Sequence, residues 1–267
     1  MIYRFSVGYL ECSVVSDGQM APPWEPPLAG FFTPDAGVAV AELQEAMAAE
    51  GRGRTSIACG YNCLLVRTAD GHAVIDTGLG ARFLGYGPRK RAHLHQDHCR
   101  GATWSGELTF PDARGFAHAA EVAFWLQPDG AAGAVADEHL ESAREAIKLF
   151  GERLHAFEDD AEILPGVRTV RAAGHTPGHT AVMVHSQGDR LLCVGDLFYD
   201  PLQLSHPQWC TPWDHDGAAA TRSRRRLLDL AADEGVPVHA YHMPFPGLGT
   251  VTRRGDAYTW TPLQAPE

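Results

Sequence analysis

His93-Leu94-His95-Gln96-Asp97-His98 puts three imidazoles and a carboxylate within six residues. Such a run is costly to bury without partners, and imidazole and carboxylate are ligands that zinc, iron and manganese accept. On an extended segment His93 and His95 alternate onto one side, so they can address the same point. Asp97 and His98 follow where the chain turns and can reach a second point nearby. Cys99 comes next and reads as a small residue in a pocket wall.

Three more polar residues close apolar, strand-like runs. His175 stands in AAGHTPGHT after VRTVRAA, where Gly174, Pro177 and Gly178 force a tight turn. Asp196 ends LLCVGD 21 residues later, and His242 ends VPVHAYH after a further 46. One strand-end Asp or His is ordinarily a satisfied loop residue. Three at the ends of successive strands predict a shared site. Phe198, Tyr199, Trp209 and Trp213 lie just beyond Asp196; they fit either the wall of an apolar pocket or ordinary core. Ser105 and Ser205 lack a nucleophile motif.

The elements that must hold these residues come from periodicity. Residues 3–16 read as two strands turning near Gly8. Residues 17–56 are rich in Pro, Gly and Ala and read as a covering loop, with a helix over 38–50. Two strands, IACGYNCLLVRT and HAVID, flank the turn Ala69-Asp70-Gly71. Helices are expected at 118–127 and 137–151, then strands from 161 to 195. A long helix over 216–234 starts behind Asp214 or Asp216 as its cap. The strand VPVHAYH and a hairpin (GTVTRR, AYTWTP) end the sequence. Strands, helices, strands, helix, strand is an α+β order that suits a sandwich of sheets covered by helices, with polar loops at one edge.

Composition narrows the function classes. The chain has 267 residues, 45% hydrophobic, which is enough for one large core and a single domain over 1–267. Its 33 acidic and 22 basic residues give a net charge of -11. That charge repels phosphate backbones and anionic membranes, so nucleic acid and membrane are excluded as expected partners. The nearest thing to a basic run, Arg222, Arg224, Arg225 and Arg226, has the spacing of the wet side of a helix. No stretch has signal-peptide character and none approaches the ~20 apolar residues of a membrane span, which points to a cytoplasmic protein. The six cysteines form no CxxC pair and are expected reduced and mostly buried.

HLHQDH, GHTPGH, the Asp of VGDLFYD and the His of YHMPFPG together resemble the metal-binding motifs of the metallo-β-lactamase-fold hydrolases. The resemblance runs along nearly the whole chain. From GDLFYDPLQLSHPQW to YHMPFPGLGTV it is most similar to the branch containing methyl parathion hydrolase and related lactonases and esterases. The resemblance implies a four-layer αβ/βα sandwich. It implies two divalent metal ions, zinc first, with iron or manganese acceptable. His93, His95 and His175 would hold one ion and Asp97, His98 and His242 the other, with Asp196 bridging them. Asp76 would organise the metal loop, and His179 would be a supporting residue. Metals activate water, and Asp97 would be the catalytic residue that orients it or passes its proton. The substrate would be a small ester, lactone or organophosphate, with Phe198, Trp209 and Trp213 as pocket residues. A homodimer is compatible with this reading.

One interval departs from the family pattern. Only 16 residues, TGLGARFLGYGPRKRA, separate Asp76 from His93. This predicts that the helix and buried strand usually found before the HxHxDH loop are missing. Arg100 also replaces a residue that is often glycine. The missing strand motivates one alternative, a catalytically impaired relative with a binding or scaffold role, and the ligand types permit another, an iron-dependent thiol or redox enzyme of the same fold.

Overall fold

The structure is a computed structural model and describes residues 1–19, 31–33, 45, 48–49, 56–78, 100–127, 137–158 and 160–263. The HLHQDH run, Cys99 and nearly all of the short interval before them lie outside the described residues, as does most of the helix expected over 38–50.

Two antiparallel hairpins build the first sheet. Strands β1 (Ile2–Val7) and β2 (Leu10–Gln19) meet at Gly8, whose φ is 54°. Strands β3 (Gly60–Thr68) and β4 (Gly71–Ile75) follow, giving the order β1-β2-β3-β4. A short helical turn leads into a small hairpin, β5 (Thr103–Trp104) and β6 (Glu107–Leu108). Next come β7 (Gly115–His118), helix α1 (Ala119–Leu126), helix α2 (Asp137–Phe150) and β8 (Leu154–Phe157), with β7 and β8 parallel. Phe124 and Trp125 of α1 pack on Leu140, Ala143 and Ile147 of α2, the apolar stripe that periodicity predicts.

The second sheet takes the rest of the chain. It comprises β9 (Glu162–Leu164), β10 (Val167–Arg171), β11 (Thr180–Ser186), β12 (Asp189–Cys193), β13 (Val238–His239), β14 (Leu248–Arg254) and β15 (Ala257–Pro262). They lie in the order β15-β14-β13-β12-β11-β10-β9. Helix α3 (Leu202–Ser205) and the 18-residue helix α4 (Gly217–Glu234) lie between β12 and β13. These two strands are parallel, which requires a crossover connection of this kind.

The two sheets face each other. Val7, Cys12, Val14, Leu64 and Val66 of the first meet Val184, Leu191, Cys193 and Leu248 of the second. On the far side of the second sheet, Leu227, Leu228 and Ala231 of α4 cover Leu192, Val194, Val238 and Val251. Each leucine buried there contributes about 1.5–3 kcal/mol. Asp216 caps α4 by accepting from Ala219 N at 2.9 Å, and Gly235 ends it with a φ of 64°.

Two expectations need correction. Arg224 is not on a wet face: it is 1% exposed and falls on the same stripe as Ala220, Leu227 and Leu228. Its guanidinium donates to the carbonyls of Leu197, Pro207 and Trp209 at 2.6, 2.8 and 3.0 Å. Those irregular segments leave buried acceptors that need donors, so the charge is held inside. Arg222 and Arg226 are exposed as expected. The second correction concerns VPVHAYH, which is a strand only over Val238–His239. Ala240 N already bonds Gly247 O, and His242 lies in the turn beyond.

Among the described residues, β4 pairs only with β3 and β7 only with β8.

Candidate metal centre and adjoining cavity

Strand direction gathers the site. β10 and β12 are both antiparallel to β11, and β13 is parallel to β12. The C-terminal ends of β10, β12 and β13 therefore share one rim, where His175, Asp196 and His242 follow. Loops at such a rim are free to carry function because the sheet fixes their ends.

Asp196 is 4% exposed and sits between two imidazoles. Its Oδ1 is 2.7 Å from His242 Nε2, and its Oδ2 is 3.1 Å from His175 Nε2. Each ring is fixed from its other nitrogen. His242 Nδ1 donates to Gly60 O at 3.1 Å, and His175 Nδ1 bonds Asp214 Oδ1 at 3.2 Å. Outer acceptors of this sort set the tautomer and leave Nε2 facing inward. The ring of Tyr199 stacks on His242 with centroids 4.5 Å apart.

Local sequence explains each position. In GHTPGH, Gly174 has a φ of 144°, and a Cβ there would meet Ala220 N at 2.1 Å. Only glycine admits that approach to the start of α4, where Gly174 O and His175 O accept from Asp216 N and His215 N at 2.9 Å. His242 is gripped by the start of β3. Gly60 N donates to His242 O at 2.9 Å, and Asn62 Nδ2 donates to the carbonyls of Tyr241 and Met243 at 3.0 and 2.7 Å. His179 has both ring nitrogens engaged: Nδ1 bonds Ala172 O at 2.9 Å and Nε2 accepts from Asp196 N at 3.1 Å. It thus braces the backbone of Asp196. Burial and the neighbouring His175 hold its basicity below the ordinary value.

Two residues escape detection in the sequence. Asp214 is one of two aspartates that fit a helix cap on spacing; Asp216 is the cap, and Asp214 is the partner of His175. Its buried carboxylate also accepts from Thr211 N at 2.8 Å and lies 3.8 Å from Arg224. Burial raises its pKa, but His175 and Arg224 outweigh burial and lower it. No local pattern signals such a role for Asp214 or Arg224. Burial likewise lowers the basicity of His175, yet Asp196 and then Asp214 overcome it and raise the pKa to about 10. The site thus favours positive charge between its carboxylates.

Asp76 follows β4 with a φ of 61°. A non-glycine residue there costs on the order of 1–3 kcal/mol and persists only where its surroundings hold it. The chain on either side of 79–99 is drawn together by Gly101 N donating to Gly78 O at 3.0 Å.

A cavity of about 980 Å³ adjoins the centre. Asp76, His175, His179 and Asp196 lie at one part of its lining, and Val122, Phe124, Trp125, Ile147 and Phe150 line another. Trp213 also lines it. Phe198 and Trp209 do not: Phe198 is 0% exposed in the core under α4, and Trp209 packs on Phe32. Their side chains complete apolar clusters, so they are core residues and not pocket wall.

Among the described residues no group of three or more His, Cys, Asp or Glu stands ready to hold a metal ion, but the imidazole and carboxylate donors of His175, Asp196 and His242 are of the kind that divalent cations accept. The Asp196 carboxylate has its two oxygens each facing a different imidazole, and both rings are held from behind.

A family model described as the metallo-beta-lactamase superfamily matches residues 93–242. Among solved structures, the chain is similar to AidC, described as a dizinc quorum-quenching lactonase in complex with the product N-hexanoyl-L-homoserine. The TM-score is 0.83 and the identity 25%, covering 98% of this chain and 97% of that one. It is also similar to AbOPH, described as a hydrolase in the beta lactamase superfamily, with a TM-score of 0.78, 23% identity, and 100% and 98% coverage. A probable metal-dependent hydrolase from Staphylococcus aureus has a TM-score of 0.71 at 18% identity, covering 97% of this chain and 100% of that one. The last two likenesses speak to fold alone. No curated protein matches the chain.

Proposed function

The chain belongs to the metallo-beta-lactamase superfamily, and from that premise we propose that it is a dinuclear metal-dependent hydrolase of an ester, lactone or phosphotriester. The observation that carries the reading is the position of Asp196, with His242 Nε2 2.7 Å from one carboxylate oxygen and His175 Nε2 3.1 Å from the other. The likeness to a dizinc lactonase at a TM-score of 0.83 supports the same chemistry.

In this reading His93, His95 and His175 would hold one cation, Asp97, His98 and His242 would hold the second, and Asp196 would contribute to both. Zinc is the first choice, with iron and manganese compatible with the ligand types. Bound, the pair of cations supplies an acidified water and a polarised substrate oxygen.

The protein's own groups do the rest. Asp214 and Gly60 O keep the two imidazoles aimed inward. His179 fixes the backbone of Asp196 by accepting its N–H at 3.1 Å. Asp97 would orient the attacking water or pass its proton. Asp76 holds the start of the loop that carries HLHQDH. The apolar part of the cavity excludes water and receives the hydrocarbon portion of a small-molecule substrate.

The test uses purified protein against a lactone, an aryl ester and a phosphotriester. Hydrolysis of at least one should vanish on chelation and return with added zinc. Activity that survives complete metal removal refutes the proposal. A protein that binds no metal and hydrolyses none of the three supports the non-catalytic alternative.

A further inference from the structure

Glu121 joins helix α1 to the turn that carries His175. Its Oε2 accepts from Thr176 Oγ1 at 2.5 Å and from Gly178 N at 3.1 Å, while Oε1 accepts from Trp125 Nε1 at 2.7 Å. Three donors converge on one partly buried carboxylate, and hydrogen bonds to an ionised acceptor are the stronger kind.

The approach of helix to turn is close enough to be selective. A Cβ on Gly178 would lie 2.2 Å from Glu121 N, so only glycine lets the turn reach α1. The helix end is itself fixed, because the buried His118 accepts from Ala120 N through Nδ1 at 3.0 Å. A carboxylate in the first turn is also favoured by the helix dipole. The start of the turn is held from α4's side, where Asp216 N and His215 N donate to Gly174 O and His175 O. Gly174 N and His179 N both reach Thr176 O, at 3.0 and 3.2 Å. Thr176 is thus tied to the turn by its carbonyl and to α1 by its hydroxyl.

We propose that Glu121 is a positioning residue for the metal centre: by clamping Thr176 and Gly178 it holds the 174–179 turn so that His175 is aimed at Asp196 before any cation arrives. The consequence for cation affinity rests on the dinuclear reading above; the clamp itself does not. Trp125 extends the linkage to the cavity, since it lines the apolar wall and donates to the same carboxylate.

The experiment compares wild type, Glu121→Ala and Glu121→Gln, first without metal and then with cobalt(II). In metal-free protein the reporters are the amides of His179 and His215, which bond Thr176 O and His175 O and not Glu121. Glu121→Ala should speed their hydrogen exchange about tenfold, with β11 and β12 unchanged. Cobalt affinity should fall about ten- to a hundredfold, with an altered visible spectrum. Glu121→Gln keeps an acceptor for Thr176 and Gly178 but turns an amide toward Trp125, so it should recover most of both losses. Exchange and cobalt binding equal to wild type in Glu121→Ala would overturn the clamp. A wild type that takes up no cobalt would sink the dinuclear reading, and the exchange result would still judge the clamp. If Glu121→Ala does not fold, Thr176→Val removes one donor and leaves α1 intact, with the same outcomes.

Discussion

Asp214 lies 3.2 Å from His175 Nδ1, while Asp196 lies 3.1 Å from Nε2 of the same ring. The imidazole is thus held between two carboxylates, Asp196, which we propose as a cation ligand, and Asp214, which steers the ring from behind. Asp214 is itself fixed by Thr211 N at 2.8 Å and by the buried guanidinium of Arg224 at 3.8 Å. Asp214→Asn should therefore weaken binding of the cation at His175 by about ten- to a hundredfold. The second cation should be less affected. Titration with a chromophoric chelator checks this, and equal loss of both ions would contradict it.

Gly174 is the second target. Its φ is 144°, and a Cβ at this position would come within 2.1 Å of Ala220 N, which leaves no room for alanine. Gly174→Ala should cost roughly 1–3 kcal/mol of stability through strain at this one position. Chemical denaturation of the metal-free protein measures it; a midpoint equal to wild type would show that the turn relaxes freely.

Two buried histidines set opposite pH responses in metal-free protein. His239 is 1% exposed, and burial, against the pull of Asp76, lowers its pKa to about 4. The unfolded chain takes up its proton near 6.5 while the folded one resists it, so this stability is present above 6.5 and is lost as pH falls toward 4. The size is about 3 kcal/mol at one pKa unit per 1.36 kcal/mol. His175, raised to about 10, works the other way: its contribution is complete below 6.5 and is lost as pH rises through 10. His239→Gln should flatten the acid limb of the stability profile and leave the alkaline limb in place. Unaltered acid dependence would contradict the assignment.

Trp213 lines the cavity and also packs edge-on against Phe31, at 5.1 Å between ring centroids. Trp213→Ala should raise KM for substrates with long hydrocarbon groups by several-fold and change it little for acetyl esters, since only the former reach the apolar wall. Equal KM changes for both would place the hydrocarbon elsewhere.

Much of this architecture is legible in residue order. The alternation in β2 and β11, the stripe on α2 and the run of strand-end residues predict both the sandwich and the meeting of His175, Asp196 and His242. What escapes is set by tertiary contact. Arg224 has the spacing of a solvated arginine, and only the three carbonyls left bare by the 197–209 segment explain its burial. Asp214 and Asp216 are equivalent as caps on paper; the return of the GHTPGH turn onto α4 separates them. Apolar patterning puts His242 at a strand end, but Ala240 pairs with Gly247 and turns the chain early. Phe198 and Trp209 follow the site aspartate in sequence, yet their rings point into the core, a choice that aromatic composition does not decide. Glu121 sits 54 residues before His175, with no local pattern to join them.

The most direct measurement is anomalous diffraction from crystals of the zinc-loaded protein. Two zinc peaks are expected, one beside each carboxylate oxygen of Asp196, with His175 on one and His242 on the other. A hydrolytically active, zinc-loaded protein with no peak near Asp196 would contradict the proposal that this carboxylate joins the two ions.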